Sequence, residues 1–376
     1  MNYELIATTT FGIEAITSAE LKALGYENLK SDNGKITFEG DEMDIAICNT
    51  WLRTADRVLI KVAEFKAESF EELFQGTLAV NWSSIIPENG VMHVVGKSIK
   101  SKLYSVPDCQ SIVKKAVVQS MKNTYNKEWF EENGPVYKIE VAILKDIVTL
   151  TIDTTGPGLH KRGYRELAGA APLKETLAAA LVLISKWDPS RVLADLFCGS
   201  GTIPIEAALI GKNIAPGLKR RFICEDWPTM NKELWQQVRE GAEKSIKDID
   251  FTIYASDIDG RVLKTARENA QKAGVMKYIS FQKLPMKEFS SKKKYGVLIS
   301  NPPYGERLGE AEEVVQIYND LGELYRKLDA WSFYVLTSHP EFQKYFKQKA
   351  DKNRKLYNGR IQCYYYQYIH QIPNRK

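Results

Sequence analysis

Three short stretches of the chain combine residue types that could do chemistry. The most specific is Ser300-Asn301-Pro302-Pro303-Tyr304-Gly305-Glu306-Arg307. Two successive prolines fix the backbone, so the Asn301 carbonyls become preset acceptors for an exocyclic amine. The ring of Tyr304 offers a face for a base taken out of its stack. Read alone, this run could also be a rigid loop without a ligand. The second stretch is Asp195-Leu196-Phe197-Cys198-Gly199-Ser200-Gly201-Thr202, between an apolar run and a helix. Its glycines let the backbone turn sharply and approach a ligand in the crevice beyond a strand end. Ile203 stands where a Walker lysine or a third glycine would be needed, so neither the P-loop nor the dinucleotide fingerprint is met. What remains is a carboxylate before G-x-G, suited to the ammonium of an amino-acid-bearing cofactor. The third is Ser256-Asp257-Ile258-Asp259. Asp257 at a strand end suits both hydroxyls of a ribose, and Asp259 suits the N-cap of the helix that follows.

Residues near 1–60 read as a small α+β unit: strand Tyr3–Thr8, helix Gly12–Leu24, strand Lys35–Glu39 and helix Met43–Thr50, in ferredoxin-like order. Residues 61–155 continue with strand Val58–Ala63 at their start, helix Ser69–Val80, strand Val91–Lys97, helix Pro107–Tyr125 and strands Val136–Leu144 and Ile147–Asp153. Thr154–Pro172, with four glycines and two prolines, reads as a linker centred on 156–172. From 173 to 376 strands alternate with helices, which predicts a mostly parallel sheet. Its strand candidates are Arg191–Phe197, Phe251–Ala255, Ile279–Phe281, Gly296–Ser300 and Trp331–Leu336. Thr202–Ile210 and Arg261–Ala273 are helices. Asn358-Gly359 between two last strands predicts a hairpin closed by a type I′ turn.

Length and composition set the frame for these elements. A chain of 376 residues exceeds one ordinary domain, and 44% apolar with 26% charged residues excludes a disordered or fibrous chain. Five scattered cysteines without C-x-x-C spacing argue against a disulfide framework or zinc site and for a reducing cytoplasm. The amino terminus lacks a secretion signal, and runs such as Leu177–Ile184 are far short of the roughly 20 apolar residues of a membrane span. His93, His160, His339 and His370 show no ligand spacing, so no metal is expected. Tyr364–Tyr366 and Tyr368 lie on the last strand, where alternate rings should be core, with nucleic-acid stacking the alternative.

Charge is unevenly placed. The net +5 divides into −6 over residues 1–160 and +11 over 161–376. Within the acidic part, residues 92–127 hold Lys97, Lys100, Lys102, Lys114, Lys115, Lys122 and Lys127 against Asp108 alone. This island is either a solvated face or a phosphate-binding patch. His160-Lys161-Arg162-Gly163-Tyr164-Arg165 is either a solvated linker or an RNA-facing hinge.

With DLFCGSGT, SDID and NPPY in order, the third zone resembles a class I S-adenosylmethionine-dependent, amino-methylating methyltransferase. The whole chain resembles the THUMP-domain RNA methyltransferases, most closely the bacterial 23S rRNA guanine-N2 methyltransferases formerly labelled adenine-specific DNA methylases. LHKRGYR (159–165), APLKETLAAA (171–180), DLFCGSGTIPIEAA (195–208), APGLKRRF (215–222) and SNPPYGERLG (300–309) carry the likeness. It implies an α/β fold: a Rossmann-like seven-stranded methyltransferase domain preceded by α+β ferredoxin-like and THUMP domains. It implies Asn301, Pro302, Pro303 and Tyr304 as catalytic. Asp195, Phe197, Gly199, Ser200, Gly201 and Thr202 would line the cofactor's methionine part, and Asp257 and Ile258 its ribose and adenine. Lys174, Glu175 and Thr176 would form its outer wall, with Glu206 a second candidate for the ammonium. Lys97, Lys100, Lys102, Lys114, Lys115, Lys122, His160, Lys161, Arg162 and Arg165 would meet RNA. One departure is Gln282-Lys283-Leu284-Pro285-Met286, where such enzymes often carry an acidic residue that reads the adenine amine. Adenine-N6 methylation of RNA or DNA, and an RNA-binding assembly factor with an idle transferase site, are the competing expectations.

Overall fold

A computed structural model describes residues 2–165, 173–305 and 311–371. The amino-terminal half runs β1 (Tyr3–Thr9), α1 (Glu14–Ala23), β2 (Lys30–Asp32), β3 (Lys35–Gly40), α2 (Glu42–Trp51), β4 (Ala55–Lys66), α3 (Phe70–Leu78), β5 (Val91–Ile99), α4 (Val106–Tyr125), β6 (Val136–Leu144) and β7 (Ile147–Asp153). These strands form a single seven-stranded sheet in the order β2-β3-β1-β4-β7-β6-β5. The boundary read at residue 60 therefore falls inside β4, which pairs with β1 on one side and β7 on the other. β4 serves both units because its 12 residues are long enough to present one segment to each neighbour.

The second half runs α5 (Glu175–Ser185), β8 (Leu193–Asp195), α6 (Thr202–Gly211), α7 (Lys232–Lys244), β9 (Ile253–Asp257), α8 (Gly260–Ala273), β10 (Ile279–Lys283), β11 (Val297–Ser300), α9 (Ala311–Lys327), β12 (Ser332–Thr337), α10 (Phe342–Phe346), β13 (Lys352–Asn358) and β14 (Ile361–Tyr368). The sheet order is β10-β9-β8-β11-β12-β14-β13. Strands β10 to β12 are parallel, whereas β14 is antiparallel to β12 and β13. Buried Tyr365, Tyr366 and Tyr368 place the last strand in the core. Asn358 pairs with Ile361, so the two-residue turn is Gly359-Arg360, one position later than expected. Only Gly359, at φ 62°, has the positive dihedral, as in a type II′ rather than a type I′ turn.

The stretch read as a linker is a packed strap. Thr154 and Thr155 are fully buried and bond Asn49 and Val58, while Leu159, Arg162 and Tyr164 are also buried. Residues 166–172 lie outside the described chain. The two halves are further joined by Gly217 N donating to Thr50 O at 2.9 Å and by Arg53 donating to Ile214 O at 2.8 Å. Trp227 stacks on Tyr137 at 4.6 Å.

Candidate active site

The chain leaves β8 to build β9 and β10 on one side and then crosses to β11 and β12 on the other. The reversal lies between β8 and β11, the place where open α/β sheets bind ligands. Asp195 ends β8 and Ser300 ends β11. Ser300 Oγ donates to Asp195 Oδ1 at 3.1 Å and accepts from Leu196 N at 3.2 Å. Phe197 N also donates to Asp195 Oδ1. Oδ2 takes no part in these bonds. Asp195 is buried, which pushes its carboxyl up to about 7; the two hydrogen bonds oppose this and Asp257 adds to it.

The glycine turn is held by Asp257, whose Oδ2 accepts from Gly199 N at 3.0 Å and whose Oδ1 accepts from Asp259 N at 3.0 Å. Both oxygens keep lone pairs for a ligand. Gly199 at φ 49° and Gly201 at φ 85° adopt a left-handed backbone, and a Cβ on Gly201 would press on Ala266 at 3.2 Å. Asp259 caps α8 through Arg261 N, as expected. Ile258 is 70% exposed, an apolar side chain facing open space beside the carboxylate.

Phe197, Asp257, Ile258, Asn301, Pro302, Pro303 and Tyr304 all line one open cleft of about 700 Å³, within the usual range for a small-molecule site. Pro285, Met286 and Lys287 form its wall where the acidic adenine reader was missing. This donor and apolar set fits S-adenosylmethionine, with a carboxylate for ribose hydroxyls and apolar side chains for the adenine faces; Asp195, about 1% exposed, adjoins the lining residue Leu196 without being part of the lining itself.

In the Asn-Pro-Pro-Tyr turn, Tyr304 OH donates to Asn301 Oδ1 at 2.5 Å, and Cys363 Sγ lies 3.6 Å from the same hydroxyl. Burial and the nearby thiol push the phenol above its ordinary range, so it stays a neutral donor. Tyr318 of α9, fully buried, donates to Pro303 O at 3.0 Å. Among the described residues no hydrogen bond reaches the Pro302 carbonyl. Glu306 and Arg307 lie outside the described residues.

Several expected site residues are placed elsewhere. Glu206 is fully buried, accepts from Tyr164 OH at 2.9 Å and pairs with Arg162 at 3.4 Å, so it is not free for a cofactor ammonium. Glu175 pairs with Arg165 at 3.1 Å, and Thr176 donates to Asp56 at 3.2 Å; with Lys174 they stand at the junction of the two halves, away from the cleft lining. Thr202 Oγ1 accepts from Arg165, and Ser200 O accepts from Asn269. Arg162 and Arg165 point inward, because a guanidinium can satisfy several carbonyls and a carboxylate at once; they present no cation to RNA. His160 is held down to about 4 by burial and then by Lys174, and is neutral at pH 7. Of this motif Lys161 is the cation left exposed.

The lysine island is largely neutralised by carboxylates outside it in sequence, from Glu68 to Glu140. Lys97 pairs with Glu140 at 2.7 Å, Lys114 with Glu132 at 3.0 Å and Lys122 with Glu128 at 2.7 Å; Lys102 pairs with Glu68 and Lys127 with Glu88. Lys115 sits 5.8 Å over Phe74. The cleft also includes Ile317 and Asp320 of α9 and Asn358 and Ile361 of the last hairpin. Asn358 is marked in the sequence only as a turn residue and the other three by no motif, and the crossing of the chain brings them to the cleft. All five cysteines are buried. Among the described residues there is no metal-ligating cluster and no helix long and apolar enough to cross a membrane.

Three family models match the chain: the RlmL ferredoxin-like domain over residues 4–59, the THUMP domain over 67–153, and the RMKL-like methyltransferase domain over 162–367. YpsC of Bacillus subtilis (strain 168), provisionally named an RNA methyltransferase, is 53% identical over 100% of this chain and 98% of its own. A solved structure from Clostridium difficile 630, provisionally described as a methylase, is 49% identical, covers 100% of both chains and superposes with a TM-score of 0.96. SMU.472, provisionally described as a methyltransferase and solved in complex with SAH, is 43% identical over 99% of both chains with a TM-score of 0.94. The chain belongs to the RMKL-like methyltransferase family, S-adenosylmethionine-dependent and carried on ferredoxin-like and THUMP domains.

Proposed function

We propose that the chain transfers a methyl group to an exocyclic base amine in RNA, with guanine N2 of 23S rRNA as the target and the bacterial cytoplasm as its location. The observation that carries the reading is the pair of acceptors among the residues that line the cleft, Asn301 Oδ1 and a Pro302 carbonyl that no hydrogen bond reaches among the described residues, in one lining with Asp257 and Ile258. The THUMP match and the name of YpsC support RNA as the substrate class. The choice of guanine N2 rests on the motif resemblance.

S-adenosylmethionine supplies an electrophilic methyl group on its sulfonium. Asp257 would hold the ribose, Ile258 and Phe197 the flat and apolar parts, and Asp195 the ammonium. Asn301 and the Pro302 carbonyl would take the hydrogens of the amine, which aims its lone pair and stabilises the positive charge that develops. Positioning of this kind removes much of the entropic barrier. The hydroxyl of Tyr304 fixes the Asn301 amide while its ring offers the face for the base. Mass spectrometry of rRNA nucleosides with and without the gene, followed by mapping, tests the assignment. Loss of N2-methylguanine is expected; loss of N6-methyladenine instead would transfer the assignment to adenine. Failure of the purified chain to bind S-adenosylmethionine would leave only an RNA-binding assembly role.

A further inference from the structure

Asn358 and Ile361 form the last pair of the hairpin β13–β14 and line the catalytic cleft, so the turn Gly359-Arg360 projects beside its mouth. Tyr357 precedes them on β13. Its ring lies 6.0 Å from Phe11, edge-on at 73°, and Lys355 Nζ stands 5.5 Å over it. Phe11 is 46% exposed although it belongs to the other half of the molecule, in the turn after β1.

That turn is firmly seated on the hairpin. Arg354 donates to Gly12 O at 3.3 Å, and a Cβ on Gly12 would meet Lys355 O at 2.5 Å. Ile13 is buried in the same cluster as Leu356 and Cys363. Phe11 is therefore an aromatic ring held half in water on a rigid base. On the same hairpin Lys355, over Tyr357, and Arg360, in the turn, are exposed, and no carboxylate pairs with either among the described residues. The lysine island differs in this respect, since five of its cations already face glutamates.

We infer that Phe11, Tyr357, Lys355 and Arg360 form a binding site for the single-stranded RNA that flanks the target nucleotide. An unpaired base stacks on the ring of Phe11, which Tyr357 braces edge-on, and its neighbouring phosphates meet Lys355 and Arg360. Aromatic rings with interleaved unpaired cations are how single strands are held without sequence readout, each stacked base contributing about 1–3 kcal/mol. Exposed cations add a salt-dependent part through counterion release. A duplex would bury its base faces and gain nothing from Phe11. The site rests on the RNA-methylation reading and adds to it where the strand enters.

The test uses the full chain, tritiated S-adenosylmethionine and rRNA from a strain lacking the gene. K355E/R360E should raise KM for this RNA about tenfold or more, leave kcat within about twofold and lower the salt slope of log KM by about 2. F11A should raise KM about tenfold with the salt slope unchanged. Both should keep the wild-type melting temperature and cofactor affinity. K97E/K114E/K122E should change KM less than about threefold, because each lysine already has a carboxylate partner. A wild type that methylates this RNA, beside K355E/R360E and F11A variants of unchanged KM, would overturn the site and leave the reading intact. A wild type that binds the cofactor yet methylates no RNA from that strain would overturn the reading and the site with it.

Discussion

Asp195→Asn should make the protein more stable and a worse binder of its cofactor. Asp195 is about 1% exposed and its carboxyl stands at about 7 instead of 3.8. At about 1.4 kcal/mol per unit, this displacement corresponds to roughly 4 kcal/mol. The folded-state value is raised, so the stabilising contribution is fully present below pH 4 and is lost as the pH rises through 7. Asparagine keeps an oxygen for Ser300 Oγ and Phe197 N and carries no charge at any pH. Urea unfolding of the cofactor-free proteins should show near-equal stabilities at pH 4 and the variant ahead by about 2–4 kcal/mol at pH 8. The difference between the two proteins isolates Asp195 from Glu175 and His160, which also titrate in this range. Calorimetric titration with S-adenosylmethionine should give the opposite order: wild-type Kd rising up to about tenfold per pH unit below 7, and a variant at least about tenfold weaker at pH 8 with no such rise. A variant with wild-type affinity at pH 8, or no pH dependence in the stability difference, would refute the reasoning.

Asn301→Ala removes the side-chain acceptor and should lower kcat by about 10²–10³ with an unchanged circular dichroism spectrum. Near-normal methyl transfer would exclude Asn301 from the reaction. Tyr304→Phe keeps the ring and deletes the 2.5 Å bond to Asn301, so single-turnover rates should fall about 3–10-fold with cofactor Kd unchanged. A rate increase would mean that the hydroxyl blocks the amide instead of positioning it. Arg162→Met leaves the fully buried Glu206 with Tyr164 as its remaining partner and should cost about 3–5 kcal/mol in urea unfolding; adding Glu206→Gln should recover part of it. Additive losses in the double variant would show that the pair is not coupled.

The candidate site was legible in the sequence where its residues are contiguous at strand ends. A carboxylate before G-x-G, an acid at the end of β9 and Asn-Pro-Pro-Tyr after β11 are local patterns, and parallel topology forces the carboxyl ends of those strands to one edge. The alternation of strands and helices likewise made the second half legible. Asp259 as a helix cap needed only its position. What the sequence could not carry is how distant side chains satisfy one another. The island of seven lysines against one aspartate counts charges along the chain, whereas the carboxylates that answer them come from β6, from the segments before α3 and before β5, and from the loop after α4. The threonines, glycines and arginines of 154–165 have the composition of a loop, yet they form a buried strap because Asn49, Val58, Arg53 and Glu206 supply their partners. Polar residues look alike in sequence whether water or protein satisfies them, and only tertiary packing decides which. The same holds for Phe11 and the hairpin, which are 346 positions apart at Tyr357 and meet because the turn after β1 docks on β13.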